Sequence, residues 1–235
     1  MNAIIRNIPN SITCLNLLSG TLAIIFAARG DAEMGGLPCR WWACIFIGIA
    51  AVADFLDGFA ARLLHAYSEL GKQLDSLADL VSFGVAPAMI VFYGLEPFAD
   101  AFWVRWGAML IPVAGALRLA RFNIDIRQTT DFIGLPIPAN AIFWIGYAAM
   151  LAQPTEFLAN WYWFGAILLF ECWLMVSPLR LFSLKFKSFG WKGNEYRWLI
   201  IITAIAMVAI MGVPGLMWLI VAYVCYGAFA ALTSK

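Results

Sequence analysis

Eight long apolar segments run through this 235-residue chain and restrict how it can fold. A helix that crosses the hydrocarbon core of a bilayer needs about 20 apolar residues, within a usable range of about 17 to 25. The composition agrees, because 63% of the residues are hydrophobic and 12% are charged, against roughly half and a quarter in soluble domains. We therefore predict an all-α polytopic integral membrane protein with about eight transmembrane helices, near residues 12–28, 41–61, 74–95, 102–120, 138–153, 161–178, 197–212 and 214–232.

The residues between the apolar segments indicate a single membrane domain over residues 1–235. Pro136, Pro138 and Pro154 bound the fifth segment, and only "GVPG" separates the last two, which predicts a tight helical hairpin. We find no internal repeat and no low-complexity linker. We therefore expect six helices in residues 1–180, followed in residues 181–235 by a basic loop and a C-terminal helical hairpin.

The positions of the lysines and arginines predict the orientation. If the N-terminus is cytoplasmic, that side carries 12 of the 15 basic residues, and only Arg29, Arg40 and Arg105 lie outside. Such an excess on one side is the positive-inside pattern of membrane proteins. Both termini, and the loop between the second and third spans, are then cytoplasmic. The net charge is only +1 and no basic face is clustered as nucleic-acid binding would require, so we expect no nucleic-acid partner.

Four aspartates interrupt the apolar pattern of the second and third spans. Asp54 and Asp57 are three residues apart, and Asp75 and Asp79 are four apart, so each pair shares a face of its helix. The connecting segment, residues 62–72, is short enough to make the two helices an antiparallel hairpin. We therefore expect the four carboxylates to converge just below the cytoplasmic membrane surface.

Buried carboxylates need a compensating positive charge, since each costs about 2.5–3.5 kcal/mol at mid-membrane on insertion scales. One source is ion pairing with Arg62, Lys72 or Arg118, but this leaves the small residues Gly58 and Ala61 on the same stripe unexplained. The other source is a pair of divalent cations. Oxygen ligands without a nearby His or Cys suit Mg²⁺ or Mn²⁺ rather than Zn²⁺. Two such ions can clamp a phosphate during an in-line displacement. The small side chains of Gly58 and Ala61 leave room for a bound group against the helix backbone. Arg62, one turn after Gly58, can reach a phosphate of that group.

The same stretch contains a family signature. "DFLDGFAARLLHAYSELGKQLDSLAD" matches D-x2-D-G-x2-A-R-x8-G-x3-D-x3-D at all eight fixed positions, which are Asp54, Asp57, Gly58, Ala61, Arg62, Gly71, Asp75 and Asp79. The chain thus resembles the CDP-alcohol phosphotransferase family. This resemblance implies a homodimeric integral membrane enzyme with two divalent cations. Such an enzyme moves a substituted phosphate from a CDP-linked donor to an alcohol and releases CMP.

The resemblance also implies roles for the motif residues. The first three aspartates, Asp54, Asp57 and Asp75, would be metal ligands. Asp79 would be the general base and also the fourth carboxylate of the metal site. The donor nucleotide pocket would contain Gly58, Ala61, Arg62 and Gly71. The first span opens with three polar residues at helical spacing that can line the same pocket, Asn10, Thr13 and Asn16. Helix capping is the alternative role for Asn10.

The acceptor is suggested by four further segments. "IPNSITCLNLLSG", "KQLDSLADLVSFGVAPA", "RLARFNI" and "FIGLPIPANA" resemble the phosphatidylserine synthase branch, and the likeness covers most of residues 7–145. It implies CDP-diacylglycerol as the donor, L-serine as the acceptor, and a bacterial or archaeal cytoplasmic membrane with the active site facing the cytoplasm. The same chemistry on glycerol 3-phosphate or inositol phosphate is an alternative. An ion-coupled transporter is a more distant one, because buried acidic residues can bind coupling ions.

Arg118 and Arg121 are the candidate acceptor ligands. They lie three residues apart on one face at the cytoplasmic end of the fourth span, and a serine carboxylate is best bound by an arginine. They could equally be ordinary positive-inside anchors. Arginines would also bind the phosphate of a phosphorylated acceptor, so this pair does not discriminate between the acceptors.

Overall fold

A computed structural model describes residues 3–98, 103–125, 132–152, 160–182, 190–191 and 194–233 of the chain. These residues form eight helices: α1 (Ala3–Ala28), α2 (Cys39–Leu63), α3 (Glu69–Gly94), α4 (Val104–Ile124), α5 (Ile137–Leu151), α6 (Trp161–Val176), α7 (Glu195–Met211) and α8 (Gly215–Thr233). The protein is therefore an all-α membrane protein, as predicted.

Five of the helices are long and apolar enough to cross a membrane, namely α1 from Asn7 onwards, α2, α3, α4 and α8. Two more, α5 and α6, are shorter apolar helices. Each predicted apolar segment overlaps one helix, while the count of eight spans stays a prediction. Five basic residues of the orientation argument lie outside the described residues, namely Arg127, Lys185, Lys187, Lys192 and Lys235.

Two short antiparallel β-ladders connect helices. Strands β1 (Glu33–Met34) and β2 (Leu37–Pro38) form the hairpin between α1 and α2. Strands β3 (Phe132–Ile133) and β4 (Arg180–Leu181) pair although they are far apart in sequence. The second ladder brings the chain that precedes α5 beside the chain that follows α6.

The α2–α3 hairpin is tighter than the sequence suggests. α3 begins at Glu69, five residues before the apolar segment, because the Ser68 side chain caps it by accepting a hydrogen bond of 3.0 Å from the Gly71 backbone N–H. The first turns of α3 are polar, so hydropathy alone does not reveal them. The connection between the two helices is therefore only residues 64–68, and both pairs of aspartates lie near the closed end of the hairpin.

A π-helical turn, Leu80–Val85, interrupts α3 immediately after Asp79. Here α3 packs closely on α1, since a side chain at Gly20 would overlap Ser82. The Ser82 hydroxyl donates a hydrogen bond of 3.0 Å to the backbone carbonyl of Asn16. Because π-turns shift the register of the residues that follow, this contact fixes the height and rotation of α3 at the level of its second aspartate.

The apolar core has two parts. One surrounds the buried aromatic residues Trp144, Tyr147 and Phe164 of α5 and α6 and extends to α3, α4 and α8. The other joins α1, α2, α3 and α5 through small residues such as Ala23, Ala43 and Ala50. Small side chains let α1 and α2 approach closely, as is typical of membrane helices. This second part holds the aspartate-bearing helices together.

Candidate active site

The four aspartates converge where α2 and α3 face each other. One carboxylate oxygen from each of Asp54, Asp57 and Asp75 lies within 4.8 Å of the other two. The Asp54 carboxyl also lies against that of Asp79. Asp57 and Asp79 are buried and the other two are partly buried. The local helical spacing predicted this cluster, and the antiparallel hairpin brings its two halves together.

Two side chains of α1 position the cluster. The buried Thr13 hydroxyl lies 2.6 Å from Asp57 Oδ2, to which it donates a hydrogen bond. The fully buried Asn16 amide donates from Nδ2 to Asp79 Oδ1 over 3.3 Å. Asn16 therefore contacts an aspartate and does not line the donor cavity. The helical spacing of Asn16 with Asn10 and Thr13 predicted that it lies near the site. No local sequence pattern predicts that Asp79 is its hydrogen-bond partner.

No basic side chain forms an ion pair with these aspartates within 4.0 Å in the part of the chain that the structure describes. The Lys72 ammonium donates instead to the backbone carbonyl of Asn123 over 2.9 Å. Arg118 is close enough to Asp79 for an electrostatic interaction. The ion-pairing alternative therefore does not account for the carboxylates of Asp54, Asp57 and Asp75.

The donor set of the cluster fits a divalent metal. Three carboxylates with oxygens within 4.8 Å of one another, without sulfur or imidazole among them, are the kind of ligand that Mg²⁺ and Mn²⁺ prefer. Like charges held so close together repel one another unless a cation lies between them. The fit therefore rests on both the identity of the ligand atoms and their spacing.

A cavity of about 560 Å³ opens beside the cluster at the end of the α2–α3 hairpin. It brings together many of the predicted donor-binding residues, and its wall consists of Pro9, Asn10, Thr13, Asp57, Gly58, Ala61, Ala66, Tyr67, Ser68, Glu69, Gly71, Lys72 and Asp75. The volume is in the usual range of about 300–1,000 Å³ for small-molecule sites. Its position against the carboxylates suits a ligand that carries phosphate.

Five of the six predicted donor residues line this cavity, and the sixth, Arg62, lies beside the wall residue Gly58 without being part of the wall. Gly71 packs tightly, since a Cβ there would lie 2.9 Å from Asn10 Oδ1. Arg62 lies alongside Gly58, where a Cβ would be 3.6 Å from the Arg62 Nη1. The capping alternative for Asn10 is wrong, because α1 already begins at Ala3.

Arg118 and Arg121 line a second, smaller cavity of about 280 Å³ between α4 and the end of α6. The Arg118 side chain is buried, with 8% of its surface exposed, and no partner binds its Nε among the described residues. Its guanidinium lies 5.4 Å from the ring centre of Phe122. Arg121 differs, because its Nη1 donates to the backbone carbonyl of Val176 over 2.9 Å. Burial of Arg118 argues against a surface anchor, which would extend into the headgroup layer.

Comparison with known proteins places these features in a family. The model of the CDP-alcohol phosphatidyltransferase family matches residues 6–177. A Mycobacterium leprae protein is 36% identical over 186 residues, which is 75% of this chain and 56% of that protein. A Mycobacterium tuberculosis protein (strain H37Rv) is 32% identical over 241 residues, which is 97% of this chain and 79% of that protein.

A third relative, from Methanocaldococcus jannaschii, is 31% identical over 225 residues, which is 95% of this chain and 93% of that protein. All three relatives are named CDP-diacylglycerol–serine O-phosphatidyltransferase. The family match includes α1 to α6 and therefore every aspartate of the cluster. The aspartate hairpin, its cavity and these matches together lead to one conclusion: the chain belongs to the CDP-alcohol phosphatidyltransferase family.

Proposed function

We propose that this protein transfers the phosphatidyl group of CDP-diacylglycerol to the hydroxyl of L-serine, giving phosphatidylserine and CMP. The observation that carries the proposal is the convergence of the four aspartates beside a cavity large enough for a nucleotide. The names of the relatives supply the acceptor. Glycerol 3-phosphate and inositol phosphate remain the alternative acceptors for the same chemistry.

Two divalent cations, Mg²⁺ or Mn²⁺, would be held by Asp54, Asp57 and Asp75, with Asp79 beside them. When bound, the ions neutralise the diphosphate of the donor and stabilise the oxygens that attack and leave the phosphorus. The Thr13 hydroxyl holds Asp57 through its 2.6 Å hydrogen bond, so this carboxylate is fixed before a metal arrives.

The donor nucleotide would occupy the larger cavity. Gly58 and Ala61 expose the backbone of α2 to it, so a flat group can lie close to the helix. Asn10 and Gly71 also line this cavity. Arg62, whose Nη1 lies beside Gly58, would bind a phosphate oxygen. The diacylglycerol tails would leave the site sideways into the bilayer.

Asp79 would act as the general base. It takes the proton of the serine hydroxyl while the hydroxyl oxygen forms a bond to the phosphorus that carries diacylglycerol, and the bond from that phosphorus to the CMP oxygen breaks. The Asn16 amide orients Asp79 by donating to Oδ1 over 3.3 Å. Arg118 lies close enough to Asp79 to place a serine carboxylate near this base.

The distribution of basic residues predicts the orientation of the protein in the membrane. The excess of basic residues in alternate loops would put the aspartate hairpin at the cytoplasmic face. The protein would then work in the cytoplasmic membrane of a bacterium or archaeon, where both substrates are accessible from the inside. A homodimer is also proposed, on the ground of family membership, and light scattering of the protein in detergent tests it.

The function is tested by offering acceptors one at a time. Purified protein in detergent, with CDP-diacylglycerol and Mg²⁺ or Mn²⁺, receives L-serine, glycerol 3-phosphate or inositol phosphate, and CMP and lipid product are measured. We expect stoichiometric CMP and phosphatidylserine with serine, and little turnover with the phosphorylated acceptors. Faster lipid formation from either phosphorylated acceptor would reassign the substrate, and no CMP release with any of the three would contradict the proposal.

A further inference from the structure

A cavity at the ends of α6 and α8 has no role in the proposed mechanism. Its volume is about 420 Å³, and its wall consists of Trp173, Ser177, Pro178, Leu179, Arg180 and Ala231. With the orientation predicted from the basic residues, this end of both helices is cytoplasmic. The cavity therefore opens at the depth of the lipid headgroups.

Two side chains of the cavity are hydrogen-bond donors without an acceptor in the described part of the chain. The Arg180 side chain is exposed, and its guanidinium has no ion pair or hydrogen bond there. Trp173 is 55% exposed, and its indole N–H has no acceptor there either. Ser177 differs, because its buried hydroxyl donates to the Leu174 carbonyl over 2.9 Å and accepts from the Leu179 N–H over 3.4 Å. A ligand of this cavity would therefore be an acceptor, and a guanidinium favours an anionic one.

An apolar stripe on the outer face of α6 leads to the same cavity. Leu169, Phe170 and Trp173 are exposed and share one face of the helix, and the rings of Phe170 and Trp173 stack with their centres 5.8 Å apart. In a membrane protein such a stripe lies against acyl chains, and a Trp at its end is typical of the layer between chains and headgroups. One continuous surface thus combines contacts for acyl chains with a cation at headgroup depth.

The size and charge of the cavity indicate which part of a lipid fits it. Its volume suits a headgroup phosphate and the adjoining glycerol, while the chains would lie outside it on the stripe. The described wall has one cation, Arg180, and no carboxylate. A zwitterionic headgroup would bring its own ammonium towards that guanidinium, whereas an anionic one would not. Charge complementarity therefore favours a lipid with a net negative headgroup.

The chain just after α6 separates this cavity from the smaller one of about 280 Å³. Ser177 and Pro178 line both. The same segment accepts a hydrogen bond of 2.9 Å from Arg121 at its Val176 carbonyl and continues into β4, which pairs with β3. A ligand bound to Arg180 in β4 would therefore restrain a segment that also supports the substrate side of the molecule.

We propose that this cavity and the apolar stripe form a binding site for an anionic phospholipid of the surrounding membrane. Arg180 binds the headgroup phosphate, the Trp173 indole donates to the ester region, and the stripe holds an acyl chain. The lipid is a ligand here and not a substrate, because the site lies outside the aspartate cluster and its cavity. The site thus goes beyond the proposed function, and its effect is to stabilise the segment that follows α6.

The test measures lipid binding through stability, without any substrate. The thermal unfolding temperature of the purified protein in detergent is followed with increasing phosphatidylglycerol or phosphatidylcholine that carry the same acyl chains. Phosphatidylglycerol should raise this temperature more than phosphatidylcholine does. Arg180→Gln should increase the phosphatidylglycerol concentration for half-maximal stabilisation about tenfold, as expected for the loss of one charge-assisted hydrogen bond. Arg180→Lys keeps the charge but loses the planar fork, so its effect should be smaller.

Arg29→Gln is the matched control. Arg29 is also exposed and has no ion pair within the described part of the chain, but it follows α1, at the predicted opposite surface. This variant removes the same charge and should respond to phosphatidylglycerol as the wild type does. Turnover of Arg180→Gln in phosphatidylcholine nanodiscs should equal that of the wild type, because Arg180 does not contact the substrates in the proposed mechanism.

Three results would overturn the lipid site. The first is the same phosphatidylglycerol response in Arg180→Gln and the wild type, and the second is equal stabilisation of the wild type by the two lipids. The third is a changed oligomeric state of Arg180→Gln in light scattering with an unchanged lipid response, which would assign this face to a second copy of the chain. Because unfolding is measured without substrate, failure of the proposed function would not alter these outcomes.

Discussion

The contact between α1 and the aspartate cluster offers a sharp test of metal binding. Thr13→Val keeps the shape of the side chain but removes the hydroxyl that donates to Asp57 Oδ2 over 2.6 Å. A hydrogen bond to a charged group contributes about 1.5–3 kcal/mol, and loss of a side chain that orients a metal ligand typically weakens metal affinity roughly 10- to 100-fold. We therefore expect the Mg²⁺ concentration for half-maximal CMP release to rise at least about tenfold, with activity recovering at high Mg²⁺.

The same helix provides a matched control. Thr21 also lies in α1, and its hydroxyl donates to the carbonyl four residues earlier over 2.9 Å, as the Thr13 hydroxyl can do to Pro9. Thr21 is exposed, and among the described residues its hydroxyl hydrogen-bonds to the Leu17 carbonyl and not to an aspartate. Thr21→Val therefore removes the same kind of hydrogen bond within the helix without affecting the cluster, and it should leave the Mg²⁺ dependence unchanged. Thr13→Ser keeps a hydroxyl at position 13 and should keep the Mg²⁺ dependence close to that of the wild type. If both valine variants show the same Mg²⁺ dependence as the wild type, the hydrogen bond does not position a metal ligand.

Three further predictions concern the metals, the aspartate roles and the packing of the helices. EDTA should abolish turnover and Mg²⁺ or Mn²⁺ should restore it, because every proposed ligand atom is a carboxylate oxygen; full activity in metal-free buffer would refute the mechanism. Asp57→Asn should weaken the binding of metal and CDP-diacylglycerol, whereas Asp79→Asn should leave donor binding largely intact and abolish turnover. Calorimetric titration with CDP-diacylglycerol distinguishes the two variants. An equal loss of donor binding in both would mean that Asp79 is not the base. Gly146→Leu should lower the thermal unfolding temperature in detergent, because any side chain there would overlap the backbone of α8. Gly165→Leu should change that temperature little, because a Cβ at Gly165 would meet no atom within 4 Å; equal effects would contradict the close packing of α5 on α8.

Local periodicity made the aspartate hairpin predictable. The spacing of Asp54 and Asp57 on one helix, and of Asp75 and Asp79 on the next, fixes which residues share a face whatever the rest of the chain does. A short connection then allows only an antiparallel pair. The convergence of the carboxylates could therefore be predicted from the sequence alone, and so could the apolar helices.

Helix ends and irregular turns were less accessible. α1 and α3 begin nine and five residues before their apolar segments, at Ala3 and Glu69, because polar residues such as Asn7, Asn10, Glu69 and Lys72 interrupt the hydropathy signal of these first turns. The π-turn Leu80–Val85 depends on the close approach of Ser82 to α1. Such features follow from packing against another helix, which a single segment does not encode.

The sequence by itself determined that this protein lies in a membrane, that it is helical, and which aspartates form the carboxylate cluster, since each depends on composition or on residues within one or two helical turns. The tertiary structure alone decided which side chains hydrogen-bond to those aspartates: Thr13 contacts Asp57 across 44 residues of sequence, and Asn16 contacts Asp79 across 63. It also decided the composition of the second cavity, whose wall combines the end of α4 with the chain after α6. Those pairings arise from the packing of distant helices, where many residues together set one distance, and no local pattern of spacing specifies them.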